Sequence, residues 1–181
     1  MKKIVLLGES GCGKTSIVVQ HLSGLFNEYS EPTIGAAYST CHHKGVKMEL
    51  WDTAGQERYS CLAPLYYRGA HCAIIIFDLT RPRESVDMAQ KWIRTMKREG
   101  VPFVIAGNKA DIVSRTIVDF ESTDYLDYID VSAKSGYNIT ELFDKVVDKC
   151  LDNEKSREKG ISVSIDNELY SLSKGGWGTF C

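Results

Sequence analysis

The stretch Gly8-Glu9-Ser10-Gly11-Cys12-Gly13-Lys14-Thr15 follows directly on the apolar run Ile4-Val5-Leu6-Leu7. A strand-length run, a glycine-rich turn and a helical segment from Lys14 to Leu22 leave few folds open. The spacing G-x-x-x-x-G-K-[ST] lets successive backbone N–H groups and a helix N-terminus converge on phosphate oxygens. Gly8, Gly11 and Gly13 permit the close approach this needs. Lys14 can reach β- and γ-phosphates, and the Thr15 hydroxyl can ligate Mg²⁺. A plain glycine-rich turn is the bland alternative, but the setting between strand and helix is the one the phosphate motif requires. The loop alone does not say which nucleotide it holds, nor whether that nucleotide is fuel, substrate or signal.

Strand and helix patterns alternate along the rest of the chain. Strand-like runs are Lys3–Leu7, Tyr38–His43, Val46–Trp51, Cys72–Phe77, Val101–Ala106 and Tyr128–Val131. The second and third form a hairpin closed around Lys44-Gly45. Helical spacing marks Glu84–Lys97, through Val86, Ala89, Trp92, Ile93 and Met96, and Ile139–Leu151 closes the domain. Near-continuous apolar strands separated by helices predict an α/β fold. The expected architecture is a six-stranded, mostly parallel sheet with one antiparallel edge strand and helices on both faces. In such sheets ligands bind beyond the carboxyl ends of the strands.

Composition excludes several classes. With 181 residues the chain is long enough for one full core; residues 1–151 are expected to form the domain and 152–181 a tail. A formal charge of −2 gives no reason to expect a nucleic-acid partner. The six cysteines have no C-x-x-C spacing and read as reduced thiols of a cytoplasmic protein. Cys41-His42-His43 invites a metal reading, but neighbours on a strand point to opposite faces, so an exposed strand or turn is the better answer. The apolar run after Met1-Lys2-Lys3 is too short for a signal peptide, and no segment has the length of a membrane span.

Two further stretches bear on the phosphate end. Trp51-Asp52-Thr53-Ala54-Gly55-Gln56 follows a strand, where Asp52 can bind Mg²⁺, often through water. Gly55 lets its amide approach a γ-phosphate, and Gln56 can orient an attacking water. Thr33, in the loop Glu28–Gly35, could complete the Mg²⁺ shell only when that loop folds over the phosphates.

At the other end, Gly107-Asn108-Lys109-Ala110-Asp111 follows Val101–Ala106. A carboxylate such as Asp111 can accept from the paired donors at guanine N1 and its exocyclic amine. Adenine lacks that pair and would leave the charge unpaired. The Lys109 stem can cover one base face, Asn108 can tie this loop to the first, and Phe26 can close the other face edge-on. Ser132-Ala133-Lys134 follows the strand Tyr128–Val131, and the Ala133 amide could donate to the guanine carbonyl.

Taken in order, these motifs closely resemble those of the Ras superfamily of small GTPases, with a P-loop NTPase, Ras-like G domain over roughly residues 2 to 150. Ile34-Gly35-Ala36-Ala37-Tyr38, Lys47–Trp51, Arg58–Ala63 and Ile76–Thr80 are similar to Rab signatures, most like the early-endosomal branch. The resemblance implies a GTP/GDP switch with bound Mg²⁺ that regulates vesicle traffic, endosome fusion and endocytosis. It assigns phosphate contacts to Ser10, Gly11, Cys12, Gly13, Lys14, Thr15, Ser16, Thr33 and Gly55, and metal ligation to Thr15, Thr33 and Asp52. Guanine contacts fall to Phe26, Asn108, Lys109, Asp111, Ser132, Ala133 and Lys134. Gln56 and Lys14 would carry slow intrinsic hydrolysis, with an arginine supplied by a GTPase-activating protein because none is placed to act in cis. Effectors would read Ile34, Tyr38, Trp51 and Tyr66. An exchange factor, a dissociation inhibitor and the cytoplasmic face of endosomal membranes complete the expected partners of a monomer.

The chain departs from the Rab pattern in two places. Between Asp111 and Ser132 it is short, leaving only Asp119–Leu126 for a stunted helix. The tail from Asp152 carries five acidic and four basic side chains, so it is not a polybasic arm. It holds one terminal cysteine, Cys181, where Rabs carry a prenylated pair. Single prenylation, a trimmed end and an unmodified thiol all remain open. The alternatives are a Rab of another trafficking step, a non-hydrolysing GTP-binding scaffold, and an ATP-using P-loop enzyme, which Asn108-Lys109-Ala110-Asp111 argues against.

Overall fold

The computed structural model describes residues 1–55, 63–113 and 127–155. The chain divides into two units, Met1–Cys150 and Leu151–Cys181. In the first, β1 (Lys2–Leu7) leads through the glycine loop into α1 (Lys14–Ser23). A hairpin of β2 (Ala36–His43) and β3 (Val46–Thr53) follows, then the short α2 (Ala63–Tyr67) and β4 (Cys72–Asp78). Next come α3 (Pro82–Glu99), β5 (Phe103–Asn108), β6 (Tyr128–Asp130) and the first unit's part, 139–150, of a helical run, α4, that extends to 155. Strand order is β2-β3-β1-β4-β5-β6, with only β2–β3 antiparallel. The expected sheet is therefore the observed one. Among the described residues no helix is long and apolar enough to cross a membrane.

The period-2 alternation of the strands divides the core in two. Ile4, Leu6, Cys72, Ile74 and Ile76 face one side, where α1 (Ile17, Val18) and α4 (Ile139, Leu142, Phe143, Val146) cover them. Val5, Leu7, Ala73, Ile75 and Phe77 face the other, under α2 and the Ala89, Ile93, Met96 stripe of α3. β1 is buried from Ile4 onward because it is central and covered on both faces. That burial fixes where its carboxyl end, and so the glycine loop, emerges.

Local signals explain the element ends. Lys44 (φ 46°) and Gly45 (φ 74°) both adopt left-handed backbone, which makes a two-residue turn matching strand twist. α3 begins with Pro82 and carries Glu84 in its first turn, Lys97 and Arg98 in its last. The strand expected over Val101–Ala106 starts two residues later. Gly100 (φ 65°) caps α3, and the Val101 N–H reaches back to Met96 O at 3.0 Å, so Val101 belongs to the helix end. The run then continues to Asn108. α2 carried no sequence signal: five residues are too few to show a period. The stunted helix expected over Asp119–Leu126 lies outside the described residues.

Away from the glycine loop, α1, the hairpin turn and α4 meet in an aromatic and charged cluster. The His21 ring stacks on Phe143 at 3.6 Å and lies 5.1 Å from His43. His43 Nε2 lies 2.6 Å from Asp144 Oδ1, and Lys44 Nζ lies 3.0 Å from Asp144 Oδ2. His43 is thus engaged by a carboxylate, and among the described residues no group of three or more His, Cys, Asp or Glu side chains is placed to hold a metal ion. Burial, then the neighbouring His43, lower the His21 pKa to about 4. The unfolded chain binds a proton there below about pH 6.5, which the folded chain refuses until about pH 4. Stability should therefore fall as pH drops through that window and level off below it. Asp144, held low first by its His43 hydrogen bond, loses its contribution in the same direction at lower pH. Urea midpoints at pH 7 and pH 5 are expected to separate more in the parent than in His21→Phe; equal separation would remove His21 from this role.

Candidate functional site

All the loops singled out in the sequence that are described leave the carboxyl ends of β1, β3, β5 and β6, or run into β2, and they line one cleft. At one end a cavity of about 170 Å³ is bounded by Ser10, Gly11, Gly13, Lys14, Thr15, Ser16, Thr33 and Gly55. A second, of about 340 Å³, is bounded by Phe26, Asn108, Lys109, Asp111, Ala133 and Lys134. Gly11, Gly13, Ser16 and Ser30 line both. The phosphate-type and base-type residues thus occupy the two ends of a continuous groove.

At the smaller cavity Lys14 is 5% exposed, and its Nζ donates to Gly8 O (3.0 Å) and Glu9 O (2.8 Å). These carbonyls hold the ammonium at the cavity wall. The Cys12 thiol is buried in the core beneath the loop, where burial pushes its pKa up. That leaves its backbone, whose carbonyl accepts from Asn108 Nδ2. Gly55 sits against the loop so closely that a Cβ there would lie 2.5 Å from the Glu9 carbonyl and collide with Lys14 Nζ. Gln56 lies outside the described residues.

Three oxygens meet beside Lys14. Thr15 Oγ1 donates to Asp52 Oδ2 at 2.7 Å, Thr33 Oγ1 donates to the same oxygen at 3.2 Å, and the two hydroxyls are 2.9 Å apart. Asp52 is 3% exposed and its Oδ1 has no hydrogen-bond partner among the described residues. Burial raises its pKa, against the Thr15 hydroxyl, Lys14 and Thr33. An orphaned buried carboxylate oxygen beside two hydroxyls is a hard-oxygen set that fits Mg²⁺, which takes few protein ligands and completes its shell with phosphate and water. Thr33 comes from the loop before β2, so that loop is folded over this end. The Ala54 N–H donates to Gly35 O at 2.8 Å and joins it to the loop after β3.

Asn108 organises the other end. Its Nδ2 donates to Cys12 O (2.8 Å), while its Oδ1 accepts the Ala133 N–H (3.0 Å). The Ala133 amide, expected to face a base carbonyl, is therefore taken by Asn108, whose amide is already turned by the bond to Cys12. Ser132 Oγ donates to Asp111 Oδ1 at 2.6 Å, which fixes the carboxylate at the cavity edge. Lys109 has left-handed backbone (φ 72°), and its Nζ bonds Asp78 Oδ2 at 2.6 Å. Lys134 lies 3.9 Å from Glu28 across the cavity mouth, and Phe26 is partly exposed at its rim.

Two residues escaped the sequence reading. Asp78 ends β4, and Arg81 follows it. Burial alone would raise the Asp78 pKa, but the Lys109 bond, Thr80 and the Lys109 charge outweigh it and hold the carboxyl low. An acid at a strand's carboxyl end was the available signal. On the neighbouring surface Tyr38 and Trp51 meet edge-on at 5.3 Å and Trp51 and Tyr66 at 6.3 Å, with Ile34 83% exposed nearby in sequence. Cys181 lies outside the described residues.

A model of the Ras family matches residues 3–152 of the chain. Because Asn108 satisfies two buried backbone groups on separate loops, Asn108→Ala should cost about 2–3 kcal/mol of unfolding free energy. Urea denaturation measures it, and a loss below about 0.5 kcal/mol would show that water replaces the amide.

Proposed function

The chain belongs to the Ras family of small GTPases, and from that premise we propose that it is a Rab-type switch that regulates vesicle traffic at the early endosome. The observation that carries the switching part is Thr33. Its hydroxyl lies on the Thr15–Asp52 oxygen set, so the middle of the loop that bears it is anchored at the phosphate end. Loss of a γ-phosphate would remove the ligand this loop and Gly55 close upon, and order would give way as in other nucleotide switches. The aromatic contact of Tyr38, Trp51 and Tyr66 beside exposed Ile34 supports the Rab reading, as an effector face adjoining both loops.

Each residue's part follows from its place. Lys14 meets the negative charge that builds on the phosphates, and the loop amides hold the nucleotide in line. Gln56, which lies outside the described residues, takes the part its motif implies and orients the attacking water. Mg²⁺, held by Thr15, Thr33 and Asp52, would supply further charge neutralisation when bound. Asp111, fixed by Ser132, accepts from guanine's N1 and exocyclic amine, and Lys109 and Phe26 cover the base. No arginine lines the phosphate cavity among the described residues, which suits slow hydrolysis accelerated by an activating protein's arginine. Cycling between cytosol and endosomal membranes would rest on an exchange factor, a dissociation inhibitor and a lipid at Cys181.

Bound GDP should resist displacement by a large excess of ATP and yield to GTP; displacement by ATP would overturn the guanine assignment. Gln56→Leu should bind GTP like the parent yet lose roughly a hundredfold in hydrolysis stimulated by a Rab-activating protein. Equal stimulated rates would remove Gln56 from water positioning, and no stimulation of the parent by any such protein would remove the Rab assignment.

A further inference from the structure

A chain of ion pairs joins the two ends of the cleft behind the nucleotide groove. Arg81 Nη2 bonds Glu9 Oε1 at 3.0 Å, and Arg81 Nε lies 3.4 Å from Asp78 Oδ2. The same Asp78 oxygen takes Lys109 Nζ at 2.6 Å, while its Oδ1 takes the Thr80 hydroxyl (2.7 Å) and N–H (2.9 Å). Glu9 lies in the phosphate loop, and its carbonyl holds Lys14 Nζ. Lys109 lies in the base loop. The side chain of Asp78 is 1% exposed and that of Glu9 18%, so both carboxylates are largely out of water.

We propose that Arg81 is a positioning residue, a clasp between the phosphate loop and the base loop that sets how slowly the nucleotide leaves. The inference rests on reading the groove as a guanine-nucleotide site. Release requires the phosphate loop to part from the base loop, since the ligand spans both. Among the described side chains Arg81 and Asp78 link Glu9 to Lys109, beside the Asn108–Cys12 bond that joins the same two loops, so that parting stretches the clasp. Asp78 keeps Lys109 when Arg81 is lost, and the base loop stays in place; what is freed is the Glu9 end. The Arg81 side chain is 46% exposed, so the clasp tunes the rate and does not decide folding.

The test is release of a fluorescent GDP analogue from the full chain, in the parent, Arg81→Gln, Glu9→Gln, the double variant, and Arg83→Gln as a charge-matched control. Each clasp variant should release about three- to tenfold faster. The double variant should be no faster than either single, because one interaction is broken only once. Raising salt from about 0.15 to about 1 M should bring the parent toward the variants, as the Debye length shrinks from about 8 to about 3 Å. Parental release from Arg81→Gln, multiplied rates in the double variant, or equal acceleration in Arg83→Gln would each overturn the clasp. A parent that binds no guanine nucleotide would instead overturn the reading on which it rests.

Discussion

The cleft depends on one side-chain amide. Asn108 donates to the Cys12 carbonyl of the phosphate loop and accepts the Ala133 N–H of the loop after β6. Those loops leave β1 and β6, strands separated in the sheet by β4 and β5, so backbone pairing cannot set their spacing. A buried amide with one donor and one acceptor in use does so at little rotameric freedom. Gly13 shows how close the approach is. Its φ of 96° belongs to the left-handed region, and a Cβ there would collide with Asn108 Nδ2. The glycine of the phosphate motif is thus required twice, for its backbone angle and for the amide behind it.

Two buried carboxylates flank β1 and meet opposite fates. Asp78 has both oxygens engaged by Thr80, Lys109 and Arg81, and its bonds to Lys109 and Thr80 hold its pKa low despite burial. Asp52 has one oxygen bonded by two hydroxyls and the other orphaned, and burial carries its pKa up. A satisfied buried charge holds loops together; an unsatisfied one costs free energy unless a ligand completes it. The contrast distinguishes a positioning carboxylate from one that fits a cation, although both lie at the carboxyl ends of strands in the same sheet.

The sheet and its two-sided core were legible because strand alternation and helix periodicity are dictated by which faces are covered. The glycine loop, Asp52, Asn108, Asp111 and Ser132 were legible because each follows a strand whose apolar run is plain. What sequence could not show was direction. The Cys12 thiol turns into the core and the Ala133 amide toward Asn108, and neither follows from spacing. Val101 reads as strand by composition, yet the αL cap at Gly100 claims its N–H. Arg81 was illegible for a different reason: its partners lie 72 and three residues away, and only the β1–β4 pairing brings Glu9 within its reach.

The route from the phosphate end to the aromatic surface is short and made of backbone. Thr33 lies on the Asp52 oxygen; two residues on, the Gly35 carbonyl accepts the Ala54 N–H. From there β2 and β3 pair as Ala36 with Thr53, Ala37 with Asp52 and Tyr38 with Trp51. Asp52 therefore belongs at once to the hard-oxygen set and to the ladder carrying the aromatic pair, while Thr53 is pinned to Leu6 O at 2.7 Å. That pin keeps β3 still against the central strand. Displacement at Thr33 must then be taken up by β2 and the loop before it, on the sheet edge where Tyr38 stands exposed. An edge strand paired on one side only can shift without breaking the core, so among the described elements β2 is the one free to follow a displacement at Thr33.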